Sequence, residues 1–158
     1  MKQETMRHLM IRELKSQAEF DEAYELICHL HPKLSKADFL SRLELQRNAN
    51  GYVLLGLYQN LNINNQEPTS RLVALAGYRL ASSLSLGTYL YLGDLVTNHT
   101  CQGQGLGGKM LRHLELIAKD AGCSQIHLDA GVQRFDAHRF YARQGFNIVF
   151  HHFAKDLE

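Results

Sequence analysis

A chain of 158 residues is the size of one domain, and a 45% share of hydrophobic residues lets it bury a single core. Lys plus Arg number 17 against 16 Asp plus Glu, a net charge of +1, which offers no electrostatic footprint for nucleic acid or an anionic membrane. Three cysteines (Cys28, Cys101 and Cys123) without paired spacing argue against a disulfide framework, and no apolar stretch near the N-terminus suits a signal peptide or a membrane span. A single domain over residues 1–158, located in the cytoplasm, is the expectation.

In chain order, residues 9–14 read as a first strand. Ser16 or Gln17 opens a helix with Phe20, Tyr24, Ile27 and Cys28 on one side, and Pro32 stops it. Cys28-His29-Leu30-His31 has metal-binding residue types, but no second ligand cluster follows at a recognised spacing, so these read as helix-end residues and no metal is expected. Ser35 to Asp38 resembles a capping box with Asp in place of Glu. The helix after it carries Phe39, Leu40, Leu43 and Leu45 and ends near Gly51. Residues 52–58 and 72–78 read as strands, joined by a solvated hairpin loop from Asn60 to Ser70. Residues 80–87 carry the chain to a strand at 88–97, whose apolar residues fall at both parities, as in a strand covered on two faces.

That strand breaks at Asn98, and Gly103-Gln104-Gly105-Leu106-Gly107-Gly108 opens an amphipathic helix. Leu106, Met110, Leu114, Ile117 and Ala121 form one stripe, widened by Leu111 and Ala118. Gly122 stands where the helix ends, and residues 125–129 form a short strand. A loop from Gly131 to Asp136, a helix over Ala137 to Arg143 ended by Gly145, and a last strand over Ile148 to Lys155 complete the chain. The sum is an α/β (α+β) domain, a mixed sheet of six or seven strands with helices on both faces.

The glycine-rich joint has specific physics. A helix leaves its first N–H groups without internal partners, and its dipole adds about half a positive charge there. Glycines remove the Cβ atoms that would hold an anion away, and no Asp or Glu occupies the first turn. A phosphate or pyrophosphate site follows.

Three ligands fit that pattern. Gly103, Gly105 and Gly108 match a dinucleotide fingerprint, with Asp129 near the place of its ribose-binding acid. The fingerprint normally follows its strand directly, however, and the chain after Gly108 is too short for the rest of a dinucleotide sheet. A nucleoside triphosphate loop fits through Lys109, but Met110 stands where a magnesium-binding hydroxyl is needed. The third pattern is Gln102-x-x-Gly105-x-Gly107 after a strand ending Leu95-Val96-Thr97. It resembles the pyrophosphate loop of the GCN5-related N-acetyltransferase (GNAT) superfamily, Gln/Arg-x-x-Gly-x-Gly/Ala. Downstream, Ala137-His-Arg-Phe-Tyr141-Ala-Arg-Gln-Gly145-Phe146 is similar to the superfamily's later helix, which carries a Tyr and ends in Gly-Phe. The element order agrees along nearly the whole chain.

The resemblance implies a mostly antiparallel sheet and an acetyl-CoA-dependent N-acetyltransferase acting on a primary amine of a small molecule or peptide. It implies that Gln102, Gly103, Gln104, Gly105, Leu106, Gly107 and Gly108 hold the pyrophosphate, and that backbone N–H groups of Leu95, Val96 and Thr97 meet the thioester arm. By the same resemblance Tyr141 protonates the leaving thiolate, and residues 29–36 help to shape the acceptor site. Ala137 falls on the superfamily's helix alanine. Three residues before it, an Asn often binds the pantetheine arm; here the residue is Arg134, which suits a cofactor phosphate instead.

Direct attack needs no protein nucleophile, and the chain has no Gly-x-Ser-x-Gly elbow. It does need a neutral amine. An alkyl ammonium of pKa about 10.4 costs about 4–5 kcal/mol to deprotonate at pH 7, so a positioned base helps. Asp94, interrupting an apolar strand on the face of Leu90, Leu92 and Val96 if no bulge intervenes, is the candidate; His127, His151 and His152 are others. Arg79 either holds a substrate carboxylate or pairs with Asp94. A free edge on the last strand makes a homodimer an expectation. The rivals are a dinucleotide-binding oxidoreductase and a non-catalytic acyl-CoA-binding sensor.

Overall fold

The computed structural model describes residues 9–61 and 69–157. The chain divides into two compact units, 1–127 and 128–158. Among the described residues the order is β1 (Leu9–Glu13), α1 (Gln17–Leu30), α2 (Lys36–Asn50), β2 (Val53–Leu61), β3 (Thr69–Ser83), β4 (Gly87–Thr97), a 3₁₀ turn (His99–Cys101), α3 (Leu106–Asp120), β5 (Ile126–Leu128) and α4 (Phe135–Arg143). The strands form one sheet in the order β1-β2-β3-β4-β5. The first three pairings are antiparallel, whereas β4 and β5 are joined through α3, the kind of crossover a parallel pair requires.

Local chemistry accounts for the element ends. Ser16 caps α1 in a full capping box: its hydroxyl accepts from the Glu19 N–H while Glu19 Oε2 accepts from the Ser16 N–H at 2.9 Å. Ser35 accepts from the Asp38 N–H at 3.1 Å, but no reciprocal bond from the shorter Asp38 side chain accompanies it. The core of the first unit lies between the sheet and α1 and α2, with Phe20, Ala23, Leu26 and Ile27 of α1 and Phe39 and Leu43 of α2 packed with Leu54, Leu72 and Leu75. The buried stripe of α1 thus runs through Ala23 and Leu26, leaving Tyr24 and Cys28 at its margin. Leu45, expected in the α2 stripe, is 65% exposed. On α3 the buried stripe is Leu106, Met110, Leu111, Leu114 and Ala118, with Ile117 half-buried and Ala121 exposed. Residues 72–77 of β3 are buried at both parities, the mark of a strand covered on both faces.

Three expectations need correction. The sheet has five strands among the described residues rather than six or seven, because Ile148 to Lys155, though apolar enough for a strand, forms none. The free strand edge on which the homodimer expectation rested is therefore not formed there. β3 continues through residues 80–83 instead of ending at 78, pairing Leu80 with Leu90 and Ser83 with Gly87, so β3 and β4 form one long hairpin. The hairpin loop between β2 and β3 falls largely outside the described residues. No helix among the described residues is long and apolar enough to cross a membrane.

Candidate active site

Asp94 sits at an irregularity that decides where it points. Gly77 of β3 pairs with Asp94 and Tyr78 with Leu92, so Gly93 is an extra residue on β4, a β-bulge. Beyond the bulge the parity inverts. Asp94 keeps the face of Val96 and leaves that of Leu90 and Leu92, and Val96 packs on the α1–α2 side of the sheet. The carboxylate is 16% exposed and accepts on both oxygens: the Tyr52 hydroxyl donates to Oδ2 at 2.5 Å, and His31 Nε2 lies 2.7 Å from Oδ1.

Tyr52 reaches Asp94 only because of Gly77. A Cβ on Gly77 would stand 1.5 Å from the Tyr52 hydroxyl oxygen, a position no side chain can share. Tyr52 is buried, and that burial, followed by the Asp94 charge and the hydrogen bond to it, drives its phenol well above the ordinary range. The tyrosine therefore stays a neutral donor. His31 follows the C-terminal end of α1 with 48% of its side chain exposed, and its backbone N–H donates to the Ile27 carbonyl at 2.8 Å. His31, Tyr52 and Asp94 line one cavity of about 630 Å³. The α1–α2 connection adds Pro32, Lys33 and Leu34 to it, and α2 adds Phe39, Arg42, Leu43 and Gln46. A volume of this size suits a small molecule.

The glycine loop forms as its composition requires. Gly103 and Gly105 adopt φ values of 77° and 74°, a left-handed conformation that side chains disfavour, and the space beside each is open. Gly105 is the N-cap of α3, with no side-chain cap and no acid in the first turn. The first helical bond runs from the Lys109 N–H to the Gly105 carbonyl at 3.0 Å, leaving the N–H groups of Leu106, Gly107 and Gly108 as the unpaired first turn. Residues 102–105 are exposed. The 3₁₀ turn separates this loop from β4, unlike a dinucleotide turn, and Met110 is fully buried rather than facing a phosphate. Leu95, Val96 and Thr97 pair with Ala76, Leu75 and Ala74, and in an antiparallel ladder alternate N–H groups point away from the paired strand.

The remaining candidates divide. Tyr141 lies on α4, its ring 5.2 Å from Phe140 and 5.5 Å from Phe146. Arg134 and Ala137, at the start of α4, line one cleft of about 500 Å³ with Gln133, Phe135, Asp136 and Arg139. His127 meets Gln125 Oε1 at 2.9 Å and the Tyr89 ring edge-on, His152 pairs with Asp129 at 3.5 Å, and His151 is exposed. Arg79 stacks on the Tyr91 ring at 4.7 Å, while both Asp94 oxygens go to Tyr52 and His31. Among the described residues no group of three or more His, Cys, Asp or Glu could hold a metal ion.

Sequence reading missed Tyr52 and Gly77, and placed His31 only within the acceptor-site segment 29–36, not beside Asp94. His31 and Tyr52 stand 63 and 42 residues from Asp94, and neither separation carries a local signal. A small residue opposite a lone strand acid was the one legible hint.

A bulged strand that turns a carboxylate into a cavity of small-molecule size, and a glycine loop opening a helix with bare N–H groups, suit a group-transfer enzyme with an anionic cosubstrate. The Acetyltransferase (GNAT) family model matches residues 13–146. An uncharacterized N-acetyltransferase of Bacillus subtilis, YhdJ, is 34% identical over 148 residues, covering 93% of this chain and 98% of the relative. The aminoalkylphosphonate N-acetyltransferase of Salmonella typhimurium is 26% identical over 138 residues, covering 87% and 84%. Among solved structures, a Trypanosoma brucei acetyltransferase superposes with a TM-score of 0.71 at 25% identity, over 95% of this chain and all of the other. The aminoglycoside N-acetyltransferase AAC(6')-Iy in complex with CoA shares the fold, with a TM-score of 0.76 at 11% identity over 96% of this chain and 95% of the other. The chain belongs to the GNAT acetyltransferase family and is an acetyl-CoA-dependent N-acetyltransferase with an amine acceptor.

Proposed function

We propose that this enzyme acetylates a primary amine of a small molecule or peptide by direct attack, and that the Asp94–His31 pair takes the proton the amine must lose. The observation that carries the proposal is the carboxylate itself. It is mostly buried at the wall of a small-molecule cavity and held by Tyr52, with a half-exposed imidazole on its other oxygen. An imidazole held by a carboxylate has its orientation fixed, and imidazole is the side chain suited to proton transfer near physiological pH.

The other roles follow the family pattern. Gln102, Gly103, Gln104, Gly105, Leu106, Gly107 and Gly108 hold the pyrophosphate through main-chain N–H groups. Outward N–H groups among Leu95, Val96 and Thr97 polarise the thioester carbonyl. The amine adds to that carbonyl, the carbon–sulfur bond breaks, and Tyr141 protonates the departing thiolate. Arg134 and Ala137 contact the cofactor. Residues 1–158 act as one N-acetyltransferase domain, supported by a family match that runs unbroken from 13 to 146. A cytoplasmic location accords with the composition, and the exposed Ile148, Val149, Phe150 and Phe153 give a homodimer an apolar surface to cover. The Salmonella relative's substrate class makes small aminoalkyl compounds the first acceptors to try.

The test is a thiol-release assay on Asp94→Asn, His31→Asn and the double variant. Each single change is expected to lower kcat about 100-fold or more with acetyl-CoA affinity unchanged, and the double variant to lose no more than either. Losses that multiply, or singles that keep full turnover, contradict the paired role. Tyr141→Phe is expected to slow turnover and leave CoA affinity nearly intact.

A further inference from the structure

The acceptor cavity carries charge that amide formation does not need. Lys33, on the α1–α2 connection, and Arg42, on α2, both line it. Among the described residues neither makes an ion pair or a hydrogen bond. The other basic residues of α2 are tied down, Lys36 by Asp21 at 3.0 Å and Arg47 by stacking on Phe20. Asp94 is the one carboxylate among the described lining residues, and its oxygens are already engaged. The cavity therefore holds two basic side chains without an ion-pair partner among the described residues, together with an apolar wall of Ile27, Leu30, Leu34, Phe39 and Leu43. An acceptor carrying further positive charge is repelled by Lys33 and Arg42. An oxyanion instead meets a guanidinium fork and an ammonium, both unspent.

We infer that the acceptor is a small primary amine bearing an oxyanion (a carboxylate, phosphate or phosphonate), with its amine at Asp94–His31, its oxyanion at Lys33 and Arg42, and a short apolar spacer between. The assignment of the amine end rests on the Asp94–His31 reading; the anion end stands on Lys33 and Arg42.

Four acceptors of similar length separate the possibilities: 3-aminopropylphosphonate, 4-aminobutyrate, 4-amino-1-butanol and 1,4-diaminobutane. The two oxyanions are expected to show kcat/KM at least about tenfold above the alcohol, with the diamine lowest, and their mutual ratio distinguishes phosphonate from carboxylate recognition. Arg42→Gln and Lys33→Gln, both at exposed positions, should erase the preference by raising KM for the two oxyanions, so that their kcat/KM falls to the level of the amino alcohol. An alcohol or diamine that matches the oxyanions, or an Arg42→Gln enzyme that keeps the preference, overturns the inference. Calorimetry of 3-aminopropylphosphonate with the CoA-loaded protein adds a readout free of turnover. Binding lost in Arg42→Gln upholds the anion end even if no acceptor reacts, in which case the Asp94–His31 reading fails by itself. No binding to the wild-type protein overturns the anion end.

Discussion

Gly77 shows how much a single missing methyl group can set. The Tyr52 hydroxyl occupies the space where its Cβ would be, and through that hydroxyl Asp94 acquires one of its two donors. Gly77→Ala must therefore expel Tyr52 from its buried position and strip Asp94 of a charge-assisted bond. Urea denaturation is expected to show a loss of about 3 kcal/mol, the sum of overpacking and a broken hydrogen bond to a charged group. Gly93 makes a neighbouring control, since a Cβ there meets nothing closer than 3.5 Å. Gly93→Ala should cost less than about 1 kcal/mol. Equal losses would mean that the Tyr52 contact is not what Gly77 serves.

At the scale of elements, two helix starts make opposite use of the same unpaired N–H groups. α1 caps one of its own: the Ser16 hydroxyl accepts from the Glu19 N–H at 3.3 Å, while the Glu19 carboxylate accepts from the Lys15 and Ser16 N–H groups at the helix entrance at 2.8 and 2.9 Å and pairs with Arg12. The Arg12 bond first, and those N–H groups next, hold the Glu19 carboxyl down at about 2. A folded pKa below the unfolded one means stability that is present above about pH 4.5 and lost as pH falls toward 2. Glu19→Gln is thus expected to cost about 1 kcal/mol at neutral pH, a modest figure because the ion pair is solvated, and the gap to wild type should close across that acid range. A gap that persists at pH 2 would show the loss to be steric rather than electrostatic.

α3 leaves its N–H groups open, and its two flanking glycines separate conformation from binding. Gly105 and Gly122 have φ values of 74° and 73°, and a Cβ on either meets nothing within 4 Å. Alanine at each should cost a similar 1–2 kcal/mol or so of backbone strain. Only Gly105→Ala places a methyl group beside the anion-binding turn, so calorimetry is expected to show CoA affinity reduced about tenfold there and unchanged in Gly122→Ala. An equal effect from both would trace the loss to helix stability instead.

Across the whole molecule, what was legible in the sequence was what local chemistry decides. Caps, stripes and the glycine loop are written within a few residues of where they act, and α1, α2, α3 and the central strand fall close to their expected bounds. The family motifs carried the activity for the same reason. Asp94 was legible as an anomaly but not in its setting. A bulge at Gly93 inverts strand parity, and nothing in the alternation of residues 88–97 announces it. His31 was read as a helix-end residue because its partner lies far along the chain, on another element. Ile148 to Lys155 failed in the converse way: a run of apolar residues supplies a face, but whether a ladder forms is decided by the backbone bonds of another strand.

The claim on which the account turns is that Asp94 acts in proton removal rather than only in holding β4 and Tyr52 together. The direct measurement is the pH dependence of kcat/KM for the amine in wild type and Asp94→Asn. Without the pair, reaction depends on amine that is already neutral, a fraction that grows about tenfold per pH unit up to its pKa near 10. The account predicts a deficit that is largest near neutral pH and shrinks steadily as the pH is raised. A deficit of constant size across that range would assign Asp94 a structural part alone.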